Sequence, residues 1–277
     1  GCKDLVKKLS AEKQICFDTE TTNIDANQAD LVGIAFSVKT GEAYYVSIPE
    51  DKVEAYAIVD IFKPLLENEN IIKIAQNIKY DAIVMKWYGV EVKGNYQDTM
   101  IAHYLLEPEL RHGMDYLAES YLKYSPVSIT TLIGKGKNQL SMRDIDIDRV
   151  KEYAAEDADI TLQLQEYLFP KMEEEGLKKL YFDIEEPLIK ALVDLEFEGV
   201  NIDADYLNQY SVELGKNIDI AEAKIYEKAG VRFNIASPKQ VGEVLFEKLE
   251  LPYRWRKTKT GQFSTDESKL TELSQNF

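Results

Sequence analysis

Four acidic residues, spread over three short segments, constrain the fold of this chain more than any other feature. The segments span residues 17–21, 76–81 and 153–157, and the acids within them are Asp18, Glu20, Asp81 and Asp157. Because carboxylates repel each other, a fold that brings these four together needs cations to offset the repulsion. Residues two apart in a strand point to the same face, so a strand here would present Asp18 and Glu20 together. The pattern therefore predicts a metal site assembled from distant parts of the chain.

Tyr153 and Asp157 add a tyrosine to this pattern. They stand four residues apart on a predicted helix, which places them on the same face, so the hydroxyl of Tyr153 can reach a water molecule near the metal. Asp81 falls at the start of another predicted helix, where the helix dipole favours an anion. Each signal has an ordinary alternative: solvated acids at a strand end, an acid in the first turn of a helix, or a half-buried tyrosine beside a surface aspartate. Their conjunction, in this order and on these elements, favours a metal-dependent nuclease site.

Three further acids lie close to these motifs in the sequence. Asp98 follows a possible strand and is either a helix N-cap or a fifth acid of the site, and we favour the structural role. Glu156 and Asp159 flank Asp157, but at 3.6 residues per turn they point away from Tyr153. We therefore expect both of them on a solvated face of the helix.

The bulk composition limits the classes of function. With 277 residues, 45% of them hydrophobic and 30% charged, the chain has the composition of a soluble globular protein and is long enough for one large domain or two ordinary ones. No apolar run approaches the ~20 residues that cross a bilayer, so no membrane partner is expected. A formal net charge of −16 argues against a protein that coats DNA. This charge is compatible with an enzyme that contacts only a few phosphates and neutralises them partly through bound metals.

Cysteine and histidine usage indicates a reducing compartment and disfavours zinc. Cys2 and Cys16 cannot make a disulfide framework, and Cys16, in an apolar run, is expected to be a buried thiol. The two histidines form no ligand-like cluster in the sequence, which disfavours a zinc site built on His and Cys. We expect a cytoplasmic protein. Because the first residue is Gly1 rather than Met, we also expect the chain to be an excised or processed fragment.

Strand and helix signals alternate in the first part of the chain. β-rich runs at 15–17, 31–38 and 43–48 lie close together, which indicates an antiparallel meander, and another strand is predicted at 71–75. Helical spacing is found in the segments 53–66, 81–88, 99–106, 114–122 and 148–167. The prediction is an α/β fold of the ribonuclease-H-like class, a mixed sheet of about five strands flanked by helices.

The signals become almost wholly helical after Pro170. Asp203 is a suitable N-cap for a long helix that reaches about residue 228, and Gly230 ends it. We therefore predict two domains, 1–180 and 181–277.

Taken together, the motifs resemble the proofreading domain of bacterial family A DNA polymerases, within the DEDD exonucleases that use a tyrosine. The likeness is carried by residues 76–81, 133–140 and 153–159, and continues at 199–203 and 233–240, so it covers nearly the whole chain. It implies a 3′–5′ exonuclease followed by a truncated, mainly helical part of the polymerase thumb. By the same resemblance no flap-nuclease domain precedes residue 1, and the fingers and palm lie beyond residue 277. Such a chain is not expected to synthesise DNA.

The resemblance also implies roles for the site residues. Asp18, Glu20 and Asp157 would hold a first Mg²⁺ or Mn²⁺ ion. Asp18 would be shared with a second ion, which Asp81 would support through water. Tyr153 and Glu20 would orient the nucleophile.

Six more positions align with residues that contact the terminal nucleotides of a single strand: Ile24, Gln76, Asn77, Tyr80, Arg111 and Ile129. Ile24, Tyr80 and Ile129 would contact or wedge the nucleotides, and the other three would form the cleft wall near sugar or phosphate. At position 129 a member of the family carries a bulky aromatic residue, so stacking on Ile129 is expected to be weaker.

The function implied is stepwise hydrolysis of single-stranded or frayed DNA from the 3′ end by two metal ions, releasing nucleoside 5′-monophosphates. The expected partners are a single-stranded DNA 3′ end and the remainder of the polymerase chain, in a monomer of the bacterial cytoplasm associated with the nucleoid.

One alternative is a catalytically silent scaffold or single-strand DNA-binding module, against which the presence of all four carboxylates argues. A second is an RNase D-like enzyme that trims RNA, against which the polymerase-like tail argues. A third is a helical interaction module in the C-terminal part.

Overall fold

A five-stranded mixed sheet forms the centre of the first of two compact units, Gly1–Gly199. The computed structural model describes residues 1–275, apart from the side chain of Asn138, so the last two residues of the predicted second domain lie outside the described residues. The strands are β1 (Gln14–Thr21), β2 (Leu31–Lys39), β3 (Glu42–Ser47), β4 (Ile72–Ala75) and β5 (Tyr96–Asp98), in the spatial order β3-β2-β1-β4-β5. β1 to β3 form an antiparallel meander, and β4 and β5 continue the sheet parallel to β1. The predicted ribonuclease-H-like class is confirmed.

Helices cover both faces of this sheet. They are α1 (Cys2–Leu9), α2 (Lys52–Leu66), α3 (Ile78–Trp87), α4 (Thr99–Leu106), α5 (Met114–Leu117), α6 (Ile129–Ile133), α7 (Ile147–Glu174), α8 (Lys178–Leu180) and α9 (Glu186–Glu198). Single turns of π-helix occupy Ala118–Leu122 and Tyr181–Glu185, and 3₁₀ turns occupy Gly136–Asn138 and Met142–Asp144. The sequence signals gave no prediction for α1.

The two faces of the sheet pack against different helices, and this determines where the acids of β1 lie. Phe17 is buried among residues of α2 and α3. Cys16 points the other way and packs with Leu162 of α7, which confirms the buried thiol. Since side chains alternate along a strand, Asp18 and Glu20 share the face of Cys16 and therefore lie on the side of α7.

α7 is longer than the predicted helix at 148–167 and runs through Pro170. Leu164, Leu168 and Met172 are fully buried at a spacing of four residues, so the apolar stripe of the helix continues past the proline. The burial of this stripe outweighs the loss of one backbone hydrogen bond at the proline.

Packing keeps residues up to Gly199 with the first unit, later than the predicted domain boundary at 180. The reason is α9, which buries Ile189 and Val193 in the same core as α2 and α3. The predicted boundary marks where the sequence signals become almost wholly helical, which is a different criterion from packing, and it stays a prediction.

The second unit, Val200–Phe277, is mainly helical in its described part, as predicted. It contains α10 (Ala204–Ala229), α11 (Pro238–Glu243) and α12 (Glu267–Ser274), with a π turn at Val244–Lys248. The Asp203 carboxylate accepts a hydrogen bond from the Tyr206 amide at 2.8 Å, and Gly230 ends α10 with φ 62°. In residues 1–275 no helix has both the length and the apolar character needed to cross a membrane.

Candidate metal site and cleft

Close packing of α7 on the sheet brings the acids of β1 and α7 together. Asp18 of β1 lies opposite Ala35 of β2, and this alanine is buried against Ala154 and Ala158 of α7. Because alanine side chains are small, the helix backbone can approach the strands closely. Asp157, next to Ala158, is thereby held beside the acids of β1.

Three carboxylates form the centre of the site. Asp18, Glu20 and Asp157 each offer a ligand oxygen, and these atoms all lie within 4.8 Å of one another. Glu20 Oε1 and Asp157 Oδ1 are buried and accept no hydrogen bond from the described residues. A buried carboxylate oxygen without a donor is costly, and a divalent cation bound by hard oxygen ligands satisfies it. The donor set therefore fits a divalent cation that prefers oxygen ligands.

The electrostatics of the cluster agree with this geometry. Removal from water raises the pKa of Asp18 to about 6. Burial and then the charge of Asp18 raise the pKa values of Glu20, Asp81 and Asp157 well above their usual range. Without a cation, the cluster retains protons that ordinary surface carboxyls would lose.

Asp81 joins the cluster through Thr19 rather than as part of the group of three. Its Oδ1 accepts hydrogen bonds from the Thr19 amide at 3.0 Å and from the Thr19 hydroxyl at 2.6 Å. Thr19 stands between Asp18 and Glu20 and points to the opposite face of β1, towards α3. No sequence signal singled out this threonine, because alternation along β1 predicts the face on which it lies but not its partner, Asp81.

Tyr153 lies one turn before Asp157 on α7, on the same face. Burial, followed by the charges of Asp157 and Glu20, raises the pKa of its hydroxyl, so Tyr153 stays protonated and can donate a hydrogen bond. Both residues line the same cleft as Asp18 and Glu20. The predicted arrangement of tyrosine and acid is therefore present.

A cleft of about 810 Å³ opens over the carboxylates. Four of the six predicted substrate contacts line it: Ile24, Asn77, Tyr80 and Ile129. Ile24 is 95% exposed at the rim and Ile129 is 42% exposed. The Tyr80 hydroxyl is fixed by contacts with Thr21 Oγ1 and the carbonyl of Asn23.

Gln76 and Arg111 lie outside the lining residues of the cleft. Gln76 donates from Nε2 to the carbonyl of His112 at 2.7 Å and accepts from the Thr99 hydroxyl. It therefore holds the loop between α4 and α5 in place. Arg111 belongs to this loop and is exposed.

The acids beside the motifs make structural contacts. Glu156 accepts hydrogen bonds from the Tyr124 hydroxyl at 2.5 Å and from the Val127 amide at 2.9 Å. Asp159 accepts from the Gly41 amide at 2.7 Å. Both side chains are therefore half-buried and hydrogen-bonded rather than simply solvated, because loops that the helical periodicity does not reveal fold back onto α7.

Asp98 accepts hydrogen bonds from the amides of Met100 and Ile101 at 2.8 and 3.1 Å, as the N-cap of α4. Its carboxylate is buried, with 2% of its surface exposed. This agrees with the structural role favoured from the sequence.

Comparison with known protein families identifies two regions of the chain. A family model described as "3'-5' exonuclease" matches residues 1–173, and one described as "DNA polymerase family A" matches residues 204–277. The chain is 42% identical to a DNA polymerase I of Pseudomonas aeruginosa, over 98% of this chain and 31% of the relative. It is 38% identical to a DNA polymerase I of Rhizobium leguminosarum, over 94% of this chain and 28% of the relative. The chain thus spans about 30% of the length of these relatives.

Among solved structures, the fold is similar to that of the polymerase domain of Pol1 from M. smegmatis in complex with DNA primer-template and dNTP. The TM-score is 0.76 at 23% sequence identity, covering 99% of this chain and 44% of that chain. At this level of identity the similarity concerns the fold alone.

Proposed function

Because the chain belongs to the 3′–5′ exonuclease family found in family A DNA polymerases, we propose that it removes nucleotides one at a time from the 3′ end of single-stranded or frayed DNA. The product would be a nucleoside 5′-monophosphate. The observation that carries the proposal is the cluster of Asp18, Glu20 and Asp157, with its two buried oxygens that lack hydrogen-bond donors.

Two Mg²⁺ or Mn²⁺ ions are the proposed cofactors. Asp18, Glu20 and Asp157 would hold one of them, and Asp18 and Asp81 would support the other. When bound, such ions lower the pKa of a water molecule and stabilise the negative charge on the leaving 3′ oxygen.

The remaining chemistry belongs to side chains of the chain itself. The hydroxyl of Tyr153, which stays protonated, would donate a hydrogen bond to the attacking water and orient it together with Glu20. The terminal bases would pack against the apolar and aromatic side chains of Ile24, Tyr80 and Ile129. Such packing does not depend on the base, because every base has a flat face that can stack. A mispaired 3′ end separates from its template more readily than a paired one. The enzyme would therefore cleave mispaired ends preferentially without contacts that distinguish one base from another.

The acidic character of the chain agrees with a short contact to DNA. A net charge of −16 disfavours a long electrostatic footprint on a duplex. We propose a single-stranded 3′ end and the remainder of a longer polymerase chain as partners, in a monomer of the bacterial cytoplasm close to the nucleoid.

The test is a gel assay on a 5′-labelled DNA oligonucleotide, with RNA of the same sequence in parallel. With Mg²⁺, we expect a ladder that shortens from the 3′ end on DNA and is absent in EDTA. Asp157→Ala should nearly abolish it. Asp159→Ala, an acid on the same helix with contacts to Gly41, is the matched control and should retain activity.

Three results would contradict the proposal. An intact oligonucleotide that still binds the wild-type chain would indicate a binding module. Faster cleavage of RNA than of DNA would indicate an RNA-trimming enzyme. Equal activity in Asp157→Ala and the wild type would place the chemistry elsewhere.

A further inference from the structure

Asp98 caps two helices with one carboxylate. Besides its bonds to the first turn of its own helix α4, it accepts from the amides of Ile78 at 2.7 Å and Asn77 at 3.3 Å, at the start of α3. The two parallel strands β4 and β5 make this possible, since Ala75 and Asp98 are register partners at their ends. Four backbone donors occupy the carboxylate, which leaves Asp98 unsuited to be a fifth ligand of the metal site.

α3 depends on Asp98 because it lacks a cap of its own. Its N-cap residue, Asn77, has a left-handed backbone with φ 64° and ψ 50°, and its side chain makes no capping hydrogen bond. The first amides of a helix have no partner within the helix and need an external acceptor. Asp98 supplies that acceptor for Ile78, so it fixes where α3 begins.

α3 carries Asp81 in its first turn, three residues after Ile78. Asp81 in turn receives both hydrogen bonds of Thr19, the residue between Asp18 and Glu20. A continuous path of short contacts thus runs from Asp98 through the start of α3 and Asp81 to the strand that carries the metal ligands.

We propose that Asp98 is a positioning residue of the metal site: by holding the start of α3, it sets the place of Asp81 and thereby the affinity of the site for divalent cations. The inference rests on the proposed function, which supplies the cation. Because the start of α3 also carries Asn77 and Tyr80 of the cleft, the effect assigned to Asp98 is one on cation binding measured in the absence of DNA.

The test compares the wild type with Asp98→Asn and Asp51→Asn in the full chain. Asn caps helices about as well as Asp, so folding should be retained. It has one acceptor oxygen, and its NH₂ group faces amides that need acceptors, so α3 loses part of its support. Asp51 is the N-cap of α2, where it accepts from the Glu54 amide at 2.9 Å, and this variant makes the same chemical change away from the site.

Mn²⁺ binding is measured by titration calorimetry without DNA, and the Mg²⁺ requirement is measured in the exonuclease assay. For a loss of about 1 kcal/mol in cation binding, Asp98→Asn should raise the Kd for Mn²⁺ about fivefold and the half-maximal Mg²⁺ concentration in parallel. Asp51→Asn should leave both quantities unchanged.

A folded Asp98→Asn protein with the Mn²⁺ affinity of the wild type overturns the proposal. If this variant does not fold, Thr19→Val takes its place, because it loosens Asp81 from the opposite side, and unchanged Mn²⁺ binding there overturns the proposal equally. A wild type that binds Mn²⁺ without cleaving DNA contradicts the proposed function, while the calorimetry still decides on Asp98. A wild type that binds no Mn²⁺ overturns both.

Discussion

Glu20 Oε1 and Asp157 Oδ1 are both buried without a hydrogen-bond donor among the described residues, and with Asp18 their carboxylates form a cluster whose ligand atoms lie within 4.8 Å of each other. Mutual repulsion and removal from water make the ionised form of this cluster unfavourable. Protons and divalent cations can each relieve it, so they compete for the same oxygens. The free energy of unfolding should therefore depend on pH when no metal is bound, and should depend on it much less when a divalent cation is bound.

Without metal, we expect the free energy of unfolding to fall as the pH rises from about 4 to 7. The carboxyl of Asp18 has a pKa of about 6 in the folded chain. Its ordinary value in an unfolded chain is about 4, so between these values the folded state binds more protons than the unfolded state, and stability is lost as pH rises. The loss from this group is on the order of 2 kcal/mol. Urea unfolding in EDTA at several pH values measures it, and millimolar Mg²⁺ should remove most of the slope.

Asp157→Asn is the control for this pH dependence. The variant lacks one charge of the cluster, so in EDTA at pH 8 it should be more stable than the wild type and should gain less from Mg²⁺. Wild-type curves with the same slope in EDTA and in Mg²⁺ would show that the cluster does not bind the cation.

Tyr153→Phe should reduce turnover while leaving metal binding intact. The hydroxyl is the only group removed, and its proposed task is to orient water, so we expect kcat to fall by about 100-fold with KM and Mn²⁺ affinity unchanged. Single-turnover cleavage of a labelled oligonucleotide measures the rate, and calorimetry measures the ion.

Tyr45→Phe is the matched control for that variant. Tyr45 packs in the same cluster of buried residues as Tyr153, and its hydroxyl donates to the Val32 carbonyl at 3.4 Å. Loss of this hydroxyl should change kcat by no more than about twofold, since its hydrogen bond to the carbonyl is long and weak. Equal losses in both variants would assign Tyr153 a packing role.

Local periodicity explains how much of the site the sequence could predict. Alternation along β1 placed Asp18 and Glu20 on one face, and the spacing of four on α7 placed Tyr153 beside Asp157. Both relations hold in the structure, because residues on one strand or one helix obey the geometry of that element. The mixed sheet followed from the same kind of pattern.

Contacts between distant segments were beyond such reasoning. The Thr19 and Asp81 pair joins residues 62 positions apart, and the hydrogen bond that the Val127 amide donates to Glu156 depends on a loop that folds back onto α7. Neither leaves a repeating signal in the sequence. The close approach of α7 to β2 at Ala35 is of the same kind, since an alanine in a sequence does not indicate which element packs against it.

Glu156→Ala should weaken the binding of the DNA strand without slowing the chemistry. Glu156 ties the segment before α6 to α7 through Tyr124 and Val127, and α6 begins with Ile129 in the cleft. Loss of two hydrogen bonds worth about 1 kcal/mol each loosens that wall, so we expect KM to rise about fivefold at an unchanged kcat. Glu152→Ala, an exposed acid on the same helix, should leave KM unchanged. A fall in kcat with constant KM in Glu156→Ala would instead indicate a disturbance of Asp157.

Ile129→Phe should strengthen the grip on the terminal bases. Ile129 lines the cleft and is 42% exposed, so a larger ring has room to meet a base. Stacking of a base on an aromatic ring is worth about 1–3 kcal/mol, so the Kd for a single-stranded oligonucleotide, measured by fluorescence anisotropy in Ca²⁺, should fall about fivefold or more. Ile147→Phe is the matched control, because Ile147 is 56% exposed at the start of α7 and lies outside the lining of the cleft. Affinity that rises equally in both variants would reflect general hydrophobicity, whereas affinity that rises only in Ile129→Phe would place the terminal base against α6.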